Sequence, residues 1–287
     1  PGLCVKVLVC DFELVGERGT NIPDLPPEFN EFFGSMINMD DPRHARLRKL
    51  VSAGFTPRML QRNMEDVDAA AKTIVHRLQE AGPGCDFVTA CAAWLPVKII
   101  CDMMGIPESQ HEFVFDMTNI ILSQGDPEFV PEGQNPLEAF LGAGAALAGL
   151  IDDIAGQADG TDSDTLTHAL VNAEIDGDKL TREEIQSFFV LLCAAGNETT
   201  RNSISWGLTY LTGNPEQKAL LQSDLDTHMP GAVEEIVRHA SPVIHFRRTV
   251  TQDGARLGDT VFNEGDKVVL FYGSGNRDDA VFDDPYA

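Results

Sequence analysis

The stretch Thr181–Leu211 constrains the fold more than any other. Its apolar and small residues return at Ile185, Phe188, Phe189, Leu192, Gly196, Thr199 and Ser203, a spacing that keeps one face of a helix. Thr181 and Glu184 form a capping box, in which each side chain satisfies an orphan backbone N–H of the first turn. About 30 residues rising ~1.5 Å each make a rod of roughly 45 Å, long enough to cross a whole domain. The rod is interrupted at its middle by Ala195-Gly196-Asn197-Glu198-Thr199-Thr200. Gly196 costs about 1 kcal/mol relative to alanine, and a buried Glu198 requires a partner or a proton. On an arbitrary helix these residues lie on a solvated face, or give a close approach to a neighbouring helix.

Composition narrows the function classes. With 287 residues and 43% hydrophobic content the chain can bury one large core or two smaller ones. A formal charge of −24 repels nucleic acid and anionic membrane. Cys4, Cys10, Cys85, Cys91, Cys101 and Cys193 form no CxxC pair, and read as reduced thiols of a cytoplasmic protein. The seven histidines show no metal-ligand spacing, and the Gly142 GAGAAL run has neither a preceding strand nor a third glycine. The apolar run Leu137–Ile151 is shorter than the ~20 residues a membrane span requires. The chain starts at Pro1 and ends at Ala287 as a piece of a longer protein would.

The order of elements is mainly helical, with strands toward the end. Val5–Leu14 has a mixed strand pattern, and Asn21–Asn38 is a proline-rich loop with Phe29, Phe32 and Phe33 on its apolar side. Asp41 can cap a basic helix with Pro42 in its first position. On that helix His44 and Arg48 share a face, and Leu47, Leu50 and Val51 define an apolar side. Arg43, Arg46, Arg48, Lys49, Arg58 and Arg62 make a local positive patch; a solvated face accounts for Arg43, Arg46 and Lys49. Helices follow over 59–78, 87–104 (ending at Gly105), 108–123, 137–157 and 165–173, with a polar loop at 159–164. After the long helix, Asn214-Pro215 opens a short one and Pro230 starts another, on which Glu235 and Arg238 stand three apart. Strands are expected over 243–250, 256–262 and 267–272, with glycines 254, 258 and 265 between them.

Several of these phrases together resemble cytochrome P450 monooxygenases, over roughly residues 25 to 287. AGNETT is similar to the family's oxygen-activation motif, DDPRHARLRKLVSAGFTP to its propionate-binding helix, and Glu235-x-x-Arg238 before Ser241-Pro242-Val243 to its ExxR motif. Phe246-Arg247-Arg248-Thr249 resembles the strand whose arginine reaches the other propionate, and Asn276-Arg277-Asp278 with Phe282-Asp283-Asp284-Pro285 the run leading to the haem loop. The resemblance implies a mainly α fold with small β-sheets (α+β), incomplete at both ends. It implies one partial domain over 1–287, with a divergent 1–20, a central helix 181–212 and a β region 243–272. Ala195 and Gly196 would line the oxygen groove, and Glu198 and Thr199 would relay protons. His44, Arg48 and Arg248, with Arg247 second to Arg248, would bind haem b. Glu235 and Arg238 would be buried and lock the core. The 21–38 loop would roof the substrate pocket.

Within the family the chain looks most like mycobacterial-type enzymes that hydroxylate the terminal methyl of branched lipids, and relatives acting on steroid side chains. That implies an apolar pocket drawing on Phe188, Leu192, Ala195, Val243 and Ile244, a hydrophobic lipid or sterol substrate, and electrons from a ferredoxin and its reductase docking on the basic patch. The family's thiolate loop would lie beyond Ala287, so none of the six cysteines inherits the iron-ligand role. These 287 residues alone are expected to lack the reduced carbon-monoxide band of a thiolate haem. A non-catalytic or degenerate helical lipid-binding protein is the alternative.

Overall fold

The computed structural model describes residues 14–15, 24, 36–55, 57–123, 125–158 and 164–286. The readings of residues 5–13, Phe29, Phe32, Phe33 and 159–163 lie outside these residues, and Cys4 and Cys10 do too. The fold is mainly α with small antiparallel sheets. Contacts divide the chain into two compact units, one of residues 32–36 and 41–201, the other of 1–31, 37–40 and 202–287.

The unit of 41–201 opens with α1 (Arg43–Gly54), where Asp41 Oδ1 accepts from Ala45 N–H at 3.0 Å. Pro42 stands just before the first helical residue, one position earlier than the sequence suggests. Then come α2 (Pro57–Ala81), α3 (Trp94–Met104), α4 (His111–Leu122), α5 (Pro136–Ala158) and α6 (Leu166–Asn172). The single helix expected over 87–104 is broken: a π turn spans Val88–Ala92 and α3 begins only at Trp94. Pro96 explains the break, because it has no N–H with which to continue a ladder from the preceding turn. Gly105 closes α3 at φ 77°, and Ile106 N–H donates to Cys101 O at 2.9 Å.

Residues 136–157 of α5 are, by length and composition, long and apolar enough to cross a membrane, contrary to the shorter reading of 137–151. Ala139, Ala143, Leu147 and Ile151 nonetheless place one stripe of α5 in the protein core. Its Asp152 accepts from Arg182 Nε and Gln186 Nε2, both at 2.6 Å. A hairpin, β2 (Glu174–Ile175) with β3 (Asp178–Lys179), turns at Asp176 and Gly177, both at positive φ. The core joins Val97, Ile100, Met104, Leu147, Leu166 and Phe189.

The rod itself is α7 (Arg182–Gly213), 32 residues. Glu184 N–H donates to Thr181 Oγ1 at 3.2 Å and Thr181 N–H to Glu184 Oε2 at 2.9 Å, the expected box. Its buried stripe differs from the expected face. Ile185, Phe189, Cys193 and Asn197, each four apart, are buried, while Phe188, Leu192, Gly196, Thr199 and Ser203 lie half-exposed on the flank.

In the unit of 202–287, α8 (Pro215–Ser223) starts at the expected Asn214-Pro215. Next, α9 (Leu225–Ala240) begins five residues before Pro230, because Asp224 caps it by accepting from Thr227 N–H at 3.1 Å and Thr227 Oγ1 at 2.8 Å. Pro230 therefore sits inside the helix. Strand β1 (Leu14–Val15) pairs with β4 (His245–Val250), which pairs with β7 (Lys267–Phe271), all antiparallel. The strand expected over 256–262 is instead a hairpin of β5 (Ala255–Leu257) and β6 (Thr260–Phe262), turning at Gly258 with φ 60°.

Candidate haem and oxygen site

The notch in α7 has a definite local geometry. Thr199 Oγ1 donates to the Ala195 carbonyl at 2.7 Å, so the hydroxyl proton is held by the helix and the oxygen keeps acceptor capacity. A Cβ on Gly196 would meet Ile100 Cδ1 at 3.1 Å, so the glycine lets α3 and α7 approach. Ala195 is exposed; Glu198 and Thr199 are half-buried. Glu198 has no hydrogen-bond or ion-pair partner among the described residues, and so keeps both carboxylate oxygens for solvent or a ligand.

The basic residues of α1 divide into two groups. Arg46 is one-third exposed, not solvated as expected. It donates to Asp178 through Nε at 2.5 Å and Nη2 at 2.9 Å, to Glu184 Oε1 at 2.6 Å and to Lys179 O at 2.9 Å. Lys49 reaches Asp176 at 3.2 Å. The patch read from the sequence is thus partly neutralised by acids some 130 positions away, invisible to local pattern. Arg43 and Arg48 are exposed, and the side chains of Arg58 and Arg62 lie outside the described residues. His44 Nδ1 is 3.5 Å from Asp41 Oδ1, and Arg48 has no carboxylate partner among the described residues.

Arg46 also ties α1 to the β2–β3 hairpin and to the first turn of α7. Replacing it by methionine is expected to lower stability by about 1–3 kcal/mol, mainly by stranding the poorly exposed Glu184. Arg46 holds Asp178 below the ordinary aspartate value of 3.8. The clamp therefore contributes above that value and is lost as pH falls through the lower folded one. Urea midpoints measured across pH check both points: the Met variant should lose part of the acid-side slope.

Strand β4 separates its two arginines in the same way. Arg247 is fully buried and donates to Asp24 Oδ1 at 2.6 Å, with Lys267 on the other oxygen at 2.7 Å. Arg248 is half-exposed and, among the described residues, donates only to the Arg247 carbonyl, at 3.0 Å. Of the pair, Arg248 is the one left with guanidinium capacity for an anion, since the strand alternation turns Arg247 inward.

The Glu235–Arg238 pair forms, but it is not buried as a pair. Arg238 Nε and Nη2 grip the carboxylate at 2.6 and 2.5 Å, yet the side chains are 12% exposed for the arginine and 55% for the acid. Arg238 Nη1 also donates to Asn276 O at 2.8 Å and Pro285 O at 3.0 Å, and the guanidinium lies 4.8 Å from the Phe282 ring centroid. Arg238 thereby ties α9 to the 276–285 run, a role the sequence did not disclose. Glu234 is exposed.

The donor set fits a haem only in part. Arg48 and Arg248 have no carboxylate partner among the described residues and suit propionates, and Ala195 and Thr199 give a small-residue flank beside Gly196, whose Cβ side is filled by Ile100. Burial raises the Cys91 thiol, pushes Cys101 up to about 12 and lifts Cys193 well above the ordinary thiol value. No cluster of three His, Cys, Asp or Glu arranged for a metal occurs among the described residues. Phe188 and Leu192 present half-buried apolar surface one turn apart, Val243 is half-exposed, and Ile244 is 69% exposed.

Comparison with known proteins bears on family and fold. The sequence profile described as cytochrome P450 matches residues 147–287. A methyl-branched lipid omega-hydroxylase of Mycobacterium tuberculosis is 46% identical over 271 residues, which cover 92% of this chain and 61% of that protein. A steroid C26-monooxygenase of Rhodococcus jostii is 37% identical over 250 residues, covering 87% of this chain and 50% of its own length. The structure of a Mycobacterium marinum cytochrome P450 in complex with pseudoionone superposes with a TM-score of 0.87 at 43% identity, covering 95% of this chain and 66% of that one. The chain thus spans less than two thirds of the length of each of these relatives.

Proposed function

This chain belongs to the cytochrome P450 family, whose cofactor is haem b, and on that premise we propose that the complete protein is a monooxygenase hydroxylating the terminal methyl of a branched lipid or steroid side chain. We take residues 1–287 as part of one such domain, acting in the cytoplasm with a ferredoxin and its reductase. The observation that carries the reading is the α7 notch: a threonine whose proton is tied to the helix, beside a glycine and next to an acid with no partner among the described residues. When bound, thiolate-ligated haem supplies reductive activation of dioxygen and insertion of one oxygen atom into a C–H bond. What this chain adds is position and protons. Arg48 with His44, and separately Arg248, would hold propionates. Ala195 keeps the flank of α7 low enough for a small ligand to lie against it, whereas the Cβ side of Gly196 is filled by Ile100. Glu198, reachable by solvent, would take up a proton and pass it toward the acceptor oxygen of Thr199.

Substrate class follows from surface chemistry and from the relatives' activities together. Phe188, Leu192, Val243 and Ile244 offer apolar contact and no hydrogen-bonding group, which suits a hydrocarbon branch. For redox docking, the exposed Arg43 is the α1 cation left over once Arg46 and Lys49 pair internally and Arg48 is given to a propionate. Optical titration of the haem-loaded complete protein against a methyl-branched fatty acid and a steroid ketone tests the reading. Saturable spectral shifts are expected with at least one of the two, and no response to either would overturn the lipid assignment.

A further inference from the structure

Asn197 has no role in the reading above, yet it is the most anomalous side chain of the rod. It is 0% exposed, and neither Oδ1 nor Nδ2 has a hydrogen-bond partner among the described residues. It stands on the α7 stripe with Cys193 one turn before it and Arg201 one turn after, and both of those residues meet α4. Arg201 Nη1 donates to Asn119 Oδ1 at 3.1 Å. The Thr118 hydroxyl lies close enough to the Cys193 thiol to oppose the upward push of burial. Thr118 is itself 1% exposed, and its Oγ1 makes no hydrogen bond of adequate geometry among the described residues. Three side-chain polar atoms, two on Asn197 of α7 and one on Thr118 of α4, are therefore buried without a hydrogen-bond partner among the described residues.

Dry burial of such groups is disfavoured strongly enough that proteins satisfy nearly all of them, with ordered water where no side chain reaches. A dry contact here would favour leucine and valine over asparagine and threonine. We propose that the α4–α7 face is an internal water-binding site in which water bridges the Asn197 amide and the Thr118 hydroxyl. The site lies behind the notch, on the buried side of α7, and gives this segment a satisfied polar stripe in place of two empty dipoles. Nothing in it depends on the oxygenase reading, so either can fail while the other stands.

The isosteric Thr118→Val exchange gives the cleanest test, because its sign is diagnostic. If the hydroxyl were dry, valine would stabilise; if water is held there, valine destabilises. Native-state hydrogen exchange of the α7 amides in the complete protein should show protection factors falling roughly five- to tenfold in Thr118→Val. The same exchange made in an Asn197→Leu background should have little further effect, since the shared water is already gone. Unchanged or raised protection in Thr118→Val overturns the site, and so does a full, additive loss in the double variant. A crystal structure must also show ordered water within hydrogen-bonding distance of both side chains; a dry interface there overturns it independently.

Discussion

Replacing Arg238 by methionine is expected to remove about 3–5 kcal/mol of stability, whereas Glu235→Gln should cost about 1 kcal/mol or less. The asymmetry follows from where the two ends of the pair lie. Glu235 is more than half exposed, so its carboxylate rehydrates readily, and glutamine still offers one acceptor oxygen. Arg238 is mostly buried and donates to the Asn276 and Pro285 carbonyls as well as to the acid, with its flat face toward Phe282. Methionine leaves two carbonyls without their donor, at roughly 1–3 kcal/mol each, and forfeits the ring contact at about 0.5–2 kcal/mol. Lysine should not rescue, because one ammonium cannot span a bidentate acid and two carbonyls at once. Arg238 also holds Glu235 below the ordinary glutamate value of 4.5. The pair therefore contributes above that value and fades as pH falls through the lower folded one. Urea denaturation of the three variants decides the matter, and equal losses in Arg238→Met and Glu235→Gln would contradict this account.

What the sequence disclosed and what it withheld divide along chain distance. The Thr181–Glu184 box, the Gly105 stop and the Asn214-Pro215 start are local devices, satisfied within a few residues, and each forms as read. Pro230 looks locally like a helix start for the same reason, but Asp224 offers an earlier and stronger cap. Asp176-Gly177 carries a short hairpin signal, and the hairpin matters because Asp178 and Asp176 neutralise Arg46 and Lys49. No pattern within α1 could show which of its cations meet acids from another part of the chain. On α7 the apolar spacing merges two neighbouring faces and so hides the strictly four-residue stripe ending at Asn197. The flank that remained, with Ala195 exposed and Thr199 back-bonded, is where the candidate oxygen residues lie. The AGNETT phrase is legible through its resemblance; burial shows which of its residues pack inward.

Thr199→Ala and Glu198→Gln in the complete, haem-loaded protein are each expected to lower product formed per electron on the order of ten- to hundredfold while electron consumption continues. Glutamine matches the shape of Glu198 but carries no ionisable proton, so its effect isolates proton movement from packing. Alanine removes both the Thr199 oxygen and the back-bond to the Ala195 carbonyl, and so mixes a chemical loss with a local tightening of the helix. Thr199→Ser separates the two: it restores the hydroxyl, and should recover most of the coupling if the acceptor oxygen is what counts. Thr199→Val keeps the β-branched shape and should not. Because the two side chains would act in sequence on one proton, the Glu198→Gln, Thr199→Ala double variant should be little worse than the poorer single one. Parallel measurement of electron donor consumed, hydroxylated product and hydrogen peroxide gives the coupling directly. Normal coupling in both single variants removes the relay assignment, and independent, multiplying losses would mean that the two residues serve different steps.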